Sequence, residues 1–316
     1  MGTTVPPPGA TSRGSAQPAA RHGYGGPVRA SRITTAARRG RAWAADYAYA
    51  VRQIAAGVLR PSPGWAGTGA TPGRQVPVLL IPGIYESWRF LEPLAERLLE
   101  AGHPVHVVRE LGLNHRSVRS GADVVAAHLR TLAEHEVVLV AHSKGGLIGK
   151  QVLLDRVDGA ASGAHAGAGG EQVGIDSAPA DTGDVQLGTG DAPTRAERTL
   201  AGAGDLRAGA GGAPPDPRVL GLVAVNTPFQ GSAYATYMPV RAVRDLSPRA
   251  VRALAEQRAV DALITSLYAC WDPHIPGGSH LATARNVQVP AVGHFRILGD
   301  RRTQDAIVAA VRSYQA

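Results

Sequence analysis

The segment Val138-Leu-Val-Ala-His-Ser-Lys-Gly-Gly146 joins a short apolar run to a helical pattern through a tight turn. The β-branched and apolar residues before the turn predict a buried strand, and residues 145–155 predict a helix. Small residues flank Ser143 at Ala141 and Gly145, where such a strand and helix nearly touch. A strained turn of this kind holds a serine hydroxyl exposed above a sheet. The simpler alternative is a serine that only caps the helix.

Short apolar runs alternate with helical patterns on both sides of this segment. The alternation predicts an α/β fold with a mostly parallel central sheet and helices on both faces. The predicted strands are 78–81, 105–108, 137–141, 219–225, 263–268 and 287–289. The predicted helices are 87–101, 121–134, 145–155, 248–258 and 303–313. The stretch after the strand 219–225 has little strand character, and we expect it to form a small cap.

Charge and composition divide the chain into segments. Residues 1–75 hold ten of the 33 basic residues and only one of the 25 acids, Asp46. We expect residues 1–41 to be a disordered basic arm, residues 42–75 a helix and a linker, and residues 76–316 the α/β domain. The acidic stretch 157–217, rich in Gly and Ala, has too few large apolar residues to offset its ordering entropy. It predicts a disordered insert within that domain.

The N-terminal helix, predicted over residues 42–59, carries large apolar residues at helical spacing: Trp43, Tyr47, Val51, Ile54 and Val58. Such a stripe is typical of a face that docks on a core. No apolar run approaches the roughly 18 residues of a membrane span. We therefore expect a soluble cytoplasmic protein, with export by an atypical twin-arginine signal at Arg38-Arg39 as the alternative. The arm could contact anionic lipid, but its arginines are not interleaved with aromatic residues, and no nucleic-acid partner is expected.

A serine held above a sheet becomes a nucleophile when a histidine takes its proton and a carboxylate orients that histidine. In the chain order Ser, acid, His, the base follows the last strand. Gly293-His294 lies between the last predicted strand and the closing helix. His274 and His280 lie too close to the strand that carries the acid. The sequence therefore predicts His294 as the general base for Ser143.

Asp272 is the best-placed acid, because it follows the predicted strand 263–268 in the segment Cys270-Trp-Asp-Pro-His-Ile-Pro276. Asp261 precedes that strand, which puts it at the opposite end of the sheet. Asp245 falls in the predicted cap, and Asp300 comes after the base. The predicted triad is therefore Ser143, Asp272 and His294.

Two backbone N–H groups are candidates for stabilising an oxyanion. One is Ile84, in the loop that leaves the first strand through Pro82-Gly83, and the other is Lys144, directly after the serine. Lys144 and Lys150 are the only lysines, since every other basic residue is Arg. Two lysines here indicate a need for a narrow stem and a compact ammonium, unless they cluster by chance.

Together these residues resemble bacterial α/β-hydrolases of the lipase/esterase type, and most nearly triacylglycerol-lipase-like proteins of actinobacteria. The resemblance is carried, in order, by Pro82-Gly83, Ala141-His-Ser-Lys-Gly-Gly146, Asn226-Thr-Pro-Phe-Gln-Gly-Ser232, Asp272-Pro-His-Ile-Pro276 and Gly293-His294. It covers roughly residues 76–157 and 218–314, so the arm and the Gly/Ala insert lie outside it. Many family members have His-Gly where this chain has Pro82-Gly83.

The resemblance implies the α/β-hydrolase fold and cleavage of a small-molecule or lipid ester through an acyl-enzyme on Ser143, with no metal or organic cofactor. It implies an acyl pocket near Phe229, Tyr234, Tyr237 and Met238, although these residues fit a core equally well. An acyltransferase, thioesterase or amidase would use the same triad, and a non-catalytic binding protein could keep the same fold. Acyl length, natural ester and oligomeric state stay open.

Overall fold

Six parallel strands form one sheet in the part of the chain that the structure, a computed structural model, describes: residues 28–66, 75–166 and 218–315. The strands are β1 (Val78–Ile81), β2 (Val105–Val107), β3 (Val137–His142), β4 (Val219–Val225), β5 (Ile264–Trp271) and β6 (Arg285–Val292). Their order across the sheet is β2-β1-β3-β4-β5-β6. Every neighbouring pair is parallel. The predicted α/β class with a parallel sheet is confirmed.

The α-helices within the described ranges are α1 (Val28–Leu59), α2 (Glu92–Glu100), α3 (Val118–Thr131), α4 (Lys144–Ala166), α5 (Arg241–Arg244), α6 (Pro248–Glu256) and α7 (Arg301–Arg312). The described residues divide into two units, 28–41 and 42–315. The sheet and helices α2 to α7 belong to the second unit. None of the helices in the described ranges combines the length and apolarity that crossing a bilayer requires.

Apolar side chains cover both faces of the sheet, because successive strand residues point to opposite sides. On one face the strand residues pack with α2, α7 and Ala50 of α1. On the other they pack with α3 and α4. In β1, for example, Val78 and Leu80 belong to the first layer, whereas Leu79 and Ile81 belong to the second. Burial on both faces explains why these strands read as continuous apolar runs.

The topology opens a crevice at the carboxyl ends of β1 and β3. From β1 the chain moves outward to β2 and then returns to the other side of β1 as β3. Loops that leave two adjacent strands in opposite directions leave a gap between them, where α/β proteins bind ligands. The segment between β4 and β5 forms a 3-10 turn (Ala233–Tyr237) followed by α5 and α6. It occupies the position of the predicted cap.

Helix α1 differs from the prediction in extent and in orientation. It begins at Val28, so residues 28–41 of the predicted disordered arm are helical. The predicted docking stripe is exposed, from 40% for Tyr47 to 77% for Val58. Asp46 and Ala50 are buried instead, at 0% and 6% exposure. The pattern of large apolar residues was misleading because α1 packs through Asp46, Ala50 and the partly buried Tyr49, which is not a member of the stripe.

Helix α4 continues to Ala166, ten residues into the segment predicted as a disordered insert. Alanine, which made this segment look like low complexity, is also the strongest helix former. The rest of that insert, 167–217, and residues 1–27 of the arm lie outside the described residues. The other predicted elements agree in type, although β5 and β6 are longer than the sequence pattern indicated.

Lys150 and Asp261 form a fully buried ion pair between α4 and the turn before β5. Their side chains are 0% and 1% exposed, and Nζ lies 2.8 Å from Oδ1. The other carboxylate oxygen accepts a hydrogen bond from the Thr283 hydroxyl at 2.9 Å. Asp261 therefore serves the packing of the sheet against α4 at the end opposite to the predicted catalytic residues.

Replacing Lys150 by Met should destabilise the protein by about 3–5 kcal/mol, because it strands a buried carboxylate. The double variant Lys150→Met/Asp261→Leu should recover most of this loss. Urea unfolding followed by circular dichroism measures both. Asp305→Ala is the control, since it breaks an exposed pair with Arg97 and should cost about 0–1 kcal/mol. A single Lys150→Met variant as stable as this control would show that the buried pair does not hold α4 against the sheet.

Candidate active site

Ser143 occupies the sharp turn between β3 and α4. Its φ is +50°, in the left-handed region that non-glycine residues rarely adopt. Its N–H donates to the carbonyl of Val225 at 2.8 Å, which ties the turn to β4. A Cβ on Gly145 would clash with the carbonyl oxygens of Ile81 and Pro82, and a Cβ on Gly146 would clash with Thr227. The small residues predicted around the serine are therefore required by close contact with both neighbouring strands.

The three residues of the predicted triad meet above the carboxyl edge of the sheet. Nε2 of His294 lies 2.9 Å from Oγ of Ser143, and Nδ1 of His294 lies 2.7 Å from Oδ2 of Asp272. All three are buried, at 5%, 5% and 9% exposure for the serine, the histidine and the aspartate. The imidazole therefore bridges the hydroxyl and the carboxylate, with one ring nitrogen for each.

Asp272 directly follows β5, and its two oxygens have separate partners. Oδ1 accepts from the backbone N–H groups of His274 at 2.8 Å and Ile275 at 3.2 Å, while Oδ2 faces His294. Burial by itself raises the pKa of Asp272, but the neighbouring His294 and these hydrogen bonds outweigh it, and the pKa is lowered. Asp272 is therefore held as a carboxylate, and its Oδ2 accepts a hydrogen bond from the N–H at Nδ1 of His294.

His294 has a raised pKa. Burial acts to lower it, but the charge of Asp272 and the hydrogen bond to that carboxylate act more strongly in the other direction, helped by Glu86 and Asp46. The pKa of His274 shifts in the opposite direction, although its ring centroid lies only 4.9 Å from that of His294. Burial and the nearby His294 lower the pKa of His274 to about 4. At neutral pH His274 is therefore an uncharged neighbour.

A second buried pair, Glu86 and His142, connects the loop after β1 with the loop of the predicted base. Nδ1 of His142 lies 2.9 Å from both carboxylate oxygens of Glu86, and Nε2 donates to the carbonyl of His294 at 3.0 Å. Oε2 of Glu86 also accepts from the N–H of Gly83 at 2.7 Å. Both ring nitrogens of His142 therefore have a polar partner, and the ring joins the two loops. Neither residue was among the predicted site residues, although His142 adjoins the serine in the sequence.

The two predicted oxyanion donors occupy different surroundings. Ile84 lines the same cavity as Ser143, in the loop that Glu86 holds. Lys144 opens α4, where the first N–H groups of a helix have no partner within it. Its side chain is buried, and its Nζ contacts the carbonyls of Asn114 (2.9 Å) and Arg116. Burial lowers the pKa of Lys144 to about 8. The predicted need for narrow lysine stems fits this position.

An apolar cavity of about 380 Å³ opens beside Ser143 and His294. Helix α1 contributes one wall, formed by Tyr47, Ala50, Val51 and Ile54. The cap contributes another wall, formed by Tyr234, Ala235, Met238, Val243 and Leu246. The stripe of α1 that was predicted to dock on the core therefore faces this cavity with three of its members.

The predicted pocket residues divide into two groups. Tyr234 and Met238 line the cavity. Phe229 is 1% exposed and packs in the core instead, because the turn after β4 directs it inward. Tyr237 is 85% exposed and lies outside the cavity lining. The resemblance could not separate these positions, since the cap is built of short turns whose side chains point in different directions. Within the described ranges, no group of three or more His, Cys, Asp or Glu is placed to share a metal ion.

Comparison with known proteins supports the architecture. No family model and no curated protein sequence matches the chain. Among solved structures, the lipase BlEst2 of Bacillus licheniformis in its propeptide form is similar with a TM-score of 0.52. The match covers 79% of this chain and 54% of that one, at 13% identity. The chain has the α/β-hydrolase fold.

Two further similar structures have lower TM-scores. The mature form of the same lipase has a TM-score of 0.48 at 13% identity, over 79% of this chain and 96% of that one. A Burkholderia cenocepacia protein provisionally described as an aryl esterase has a TM-score of 0.40 at 14% identity. The match covers 78% of this chain and 93% of that one. These similarities concern the fold, and the chemistry of the site has to be argued from its own residues.

Proposed function

We propose that this protein hydrolyses carboxylic esters with an apolar acyl group, through an acyl-enzyme formed on Ser143. The observation that carries the proposal is the continuous relay from Ser143 through His294 to Asp272, at 2.9 and 2.7 Å. The relay opens on a cavity whose walls are mainly apolar. Such a relay activates a hydroxyl for attack on a carbonyl carbon.

In the first half of the reaction, Oγ of Ser143 bonds to the ester carbonyl carbon while its proton passes to Nε2 of His294. The negative carbonyl oxygen is stabilised by the N–H groups of Ile84 and Lys144. The bond to the alkoxy oxygen then breaks, and that oxygen takes the proton from His294 and leaves as the alcohol. In the second half, water gives a proton to His294 and attacks the acyl carbon. The bond from that carbon to Oγ of Ser143 then breaks, Oγ takes the proton back from His294, and the acid leaves.

Asp272 and the network around His294 support these proton transfers. The carboxylate fixes the tautomer in which Nδ1 carries the proton, so that Nε2 can accept. It also stabilises the imidazolium that forms during attack. Glu86 orders the loop of Ile84 through the N–H of Gly83, and this keeps one proposed oxyanion donor beside the cavity. Fixed dipoles of this kind need no rearrangement as charge develops.

Ser143→Ala should lower kcat on p-nitrophenyl esters by about 10⁴ or more, because the triad acts as a unit. An alkyl fluorophosphonate probe should label the wild-type protein and fail to label the variant. Ser232→Ala is the matched control, which should keep the labelling. Esterase activity that survives Ser143→Ala would refute the assignment, and a labelled protein without hydrolysis would favour transfer to another acyl acceptor.

The acid limb of kcat/KM should have its midpoint above pH 6.5, the ordinary value for histidine, because the base must be neutral and its pKa is raised. Activity therefore falls as the pH drops through that pKa. Asp272→Asn removes the charge that raises it and should move the limb to lower pH, with kcat reduced by about 10⁴. Asp305→Asn, on the surface of α7, should leave the limb in place. A limb that does not move in Asp272→Asn would contradict the proposed relay.

Ile54→Ala should selectively weaken turnover of longer acyl esters, because it removes apolar contact from the α1 wall. We expect kcat/KM for an octanoate to fall by roughly threefold to tenfold relative to an acetate, in line with the value of one or two buried methylene groups. Val58→Ala is the matched control, since Val58 is an aliphatic residue of the same helix outside the cavity lining. Equal effects of both variants on the chain-length profile would exclude α1 as an acyl wall.

A further inference from the structure

Asp46, the only acid among the first 75 residues, makes an unexpected set of contacts. It lies in the middle of α1 and is 0% exposed. Its Oδ2 accepts from the N–H of His294 at 2.9 Å, and its Oδ1 accepts from the N–H groups of Phe295 at 2.8 Å and Arg296 at 2.9 Å. A single carboxylate from the N-terminal helix therefore binds three consecutive amides that begin at the proposed base.

The loop of His294 is shaped to receive this carboxylate. Gly293 has a φ of +109°, which glycine adopts without strain. A Cβ at this position would clash with Oδ1 of Asp46. The glycine therefore permits both the turn and the close approach. Successive N–H groups that converge on one point form a concave site for an anion, and here the anion belongs to the chain itself.

The backbone carbonyl of His294 also has hydrogen-bond partners. The carbonyl oxygen of His294 accepts from Nε2 of His142 at 3.0 Å and from Nδ2 of Asn226 at 3.2 Å. Since Asp46 accepts from the backbone N–H, both the N–H and the carbonyl of the His294 backbone have hydrogen-bond partners. The orientation of a side chain follows from its backbone, so this arrangement fixes where the imidazole can reach. Asp46 is the only one of these partners that comes from outside the sheet and its loops.

We infer that Asp46 is a positioning residue of the active centre, which makes α1 an integral part of the catalytic machinery. Its carboxylate holds the loop of His294 so that Nε2 stays within reach of Oγ of Ser143. The inference rests on the proposed function, in which His294 is the base. It also gives α1 two roles, since the same helix supplies the carboxylate through one face and a cavity wall through another.

A purely structural role and a positioning role differ in their effect on the imidazole. The groups that face His294 are the carboxylates of Asp272, Glu86 and Asp46, the hydroxyl of Ser143, and the rings of His142 and His274. Asp46 is one of the negative charges that raise the pKa of His294. Asp46→Asn keeps the shape of the side chain and removes its charge. It should therefore lower this pKa, whereas simple loss of packing would not.

The first test follows the His294 ring by NMR in a Ser143→Ala background, which needs no turnover. Asp46→Asn should lower the pKa of the ring by about 0.5–1 unit. The control Asp305→Asn removes an exposed carboxylate of α7 and should leave the pKa unchanged. Because the readout is independent of ester hydrolysis, it can fail or succeed whether or not the protein proves to be an esterase. An unchanged pKa in a folded Asp46→Asn protein overturns the inference.

The second test is kinetic and uses the full chain. Asp46→Asn should lower kcat by roughly 10- to 100-fold, as expected when a reacting group is displaced, while KM changes by less than about twofold. The acid limb of the pH profile should move down together with the NMR value. A lower melting temperature with unchanged kcat and an unchanged limb would reduce Asp46 to a structural role and overturn the inference.

If Asp46→Asn does not fold, Gly293→Ala replaces it. The added methyl group displaces the loop from the carboxylate but leaves the charge in place. The expected result is a folded protein with a similar loss of kcat and slower labelling by the fluorophosphonate. Gly277→Ala is the matched control, because a Cβ on Gly277 meets nothing within 4 Å. A fully active Gly293→Ala protein would overturn the inference.

Discussion

The left-handed backbone at Ser143 is the constraint on which the rest of the site depends. It is tolerated because the turn is held between two strands. Its N–H bonds to the end of β4, and α4 leaves so close to the end of β1 that Gly145 has no room for a side chain. Strain of this kind persists only where the surrounding structure over-determines the backbone. The result is a hydroxyl that stands above the sheet at the start of a helix.

A buried polar network extends from this turn to the loops around it. Glu86, His142 and Asn226 connect the loop after β1, the elbow and the end of β4 to the loop of His294. A polar group buried without a partner is costly, and a satisfied network therefore specifies one arrangement. Here each member has its partners, and the arrangement that they specify places the imidazole between the hydroxyl and Asp272.

Helix α1 illustrates how a segment that precedes the sheet can become part of the site. Asp46, Tyr49 and Ala50 face the body of the protein, while Tyr47, Val51 and Ile54 face the cavity. The large apolar residues are left partly exposed, and this is reasonable for the wall of a pocket that receives an apolar group. The helix thereby links the shape of the cavity to the position of the proposed base, through one rigid element.

The sequence by itself determined the order of the strands along the chain, the elbow at Ser143 and the identity of the three residues that meet there. These features depend on local patterns: apolar runs, small residues beside a serine, and the chain order of acid and base. The tertiary structure decided the rest. Phe229 is buried in the core, and members of the α1 stripe line the cavity. Asp46 accepts hydrogen bonds from three amides about 250 positions further along the chain. Such outcomes depend on which surfaces meet, and periodicity identifies a face without telling what that face will contact.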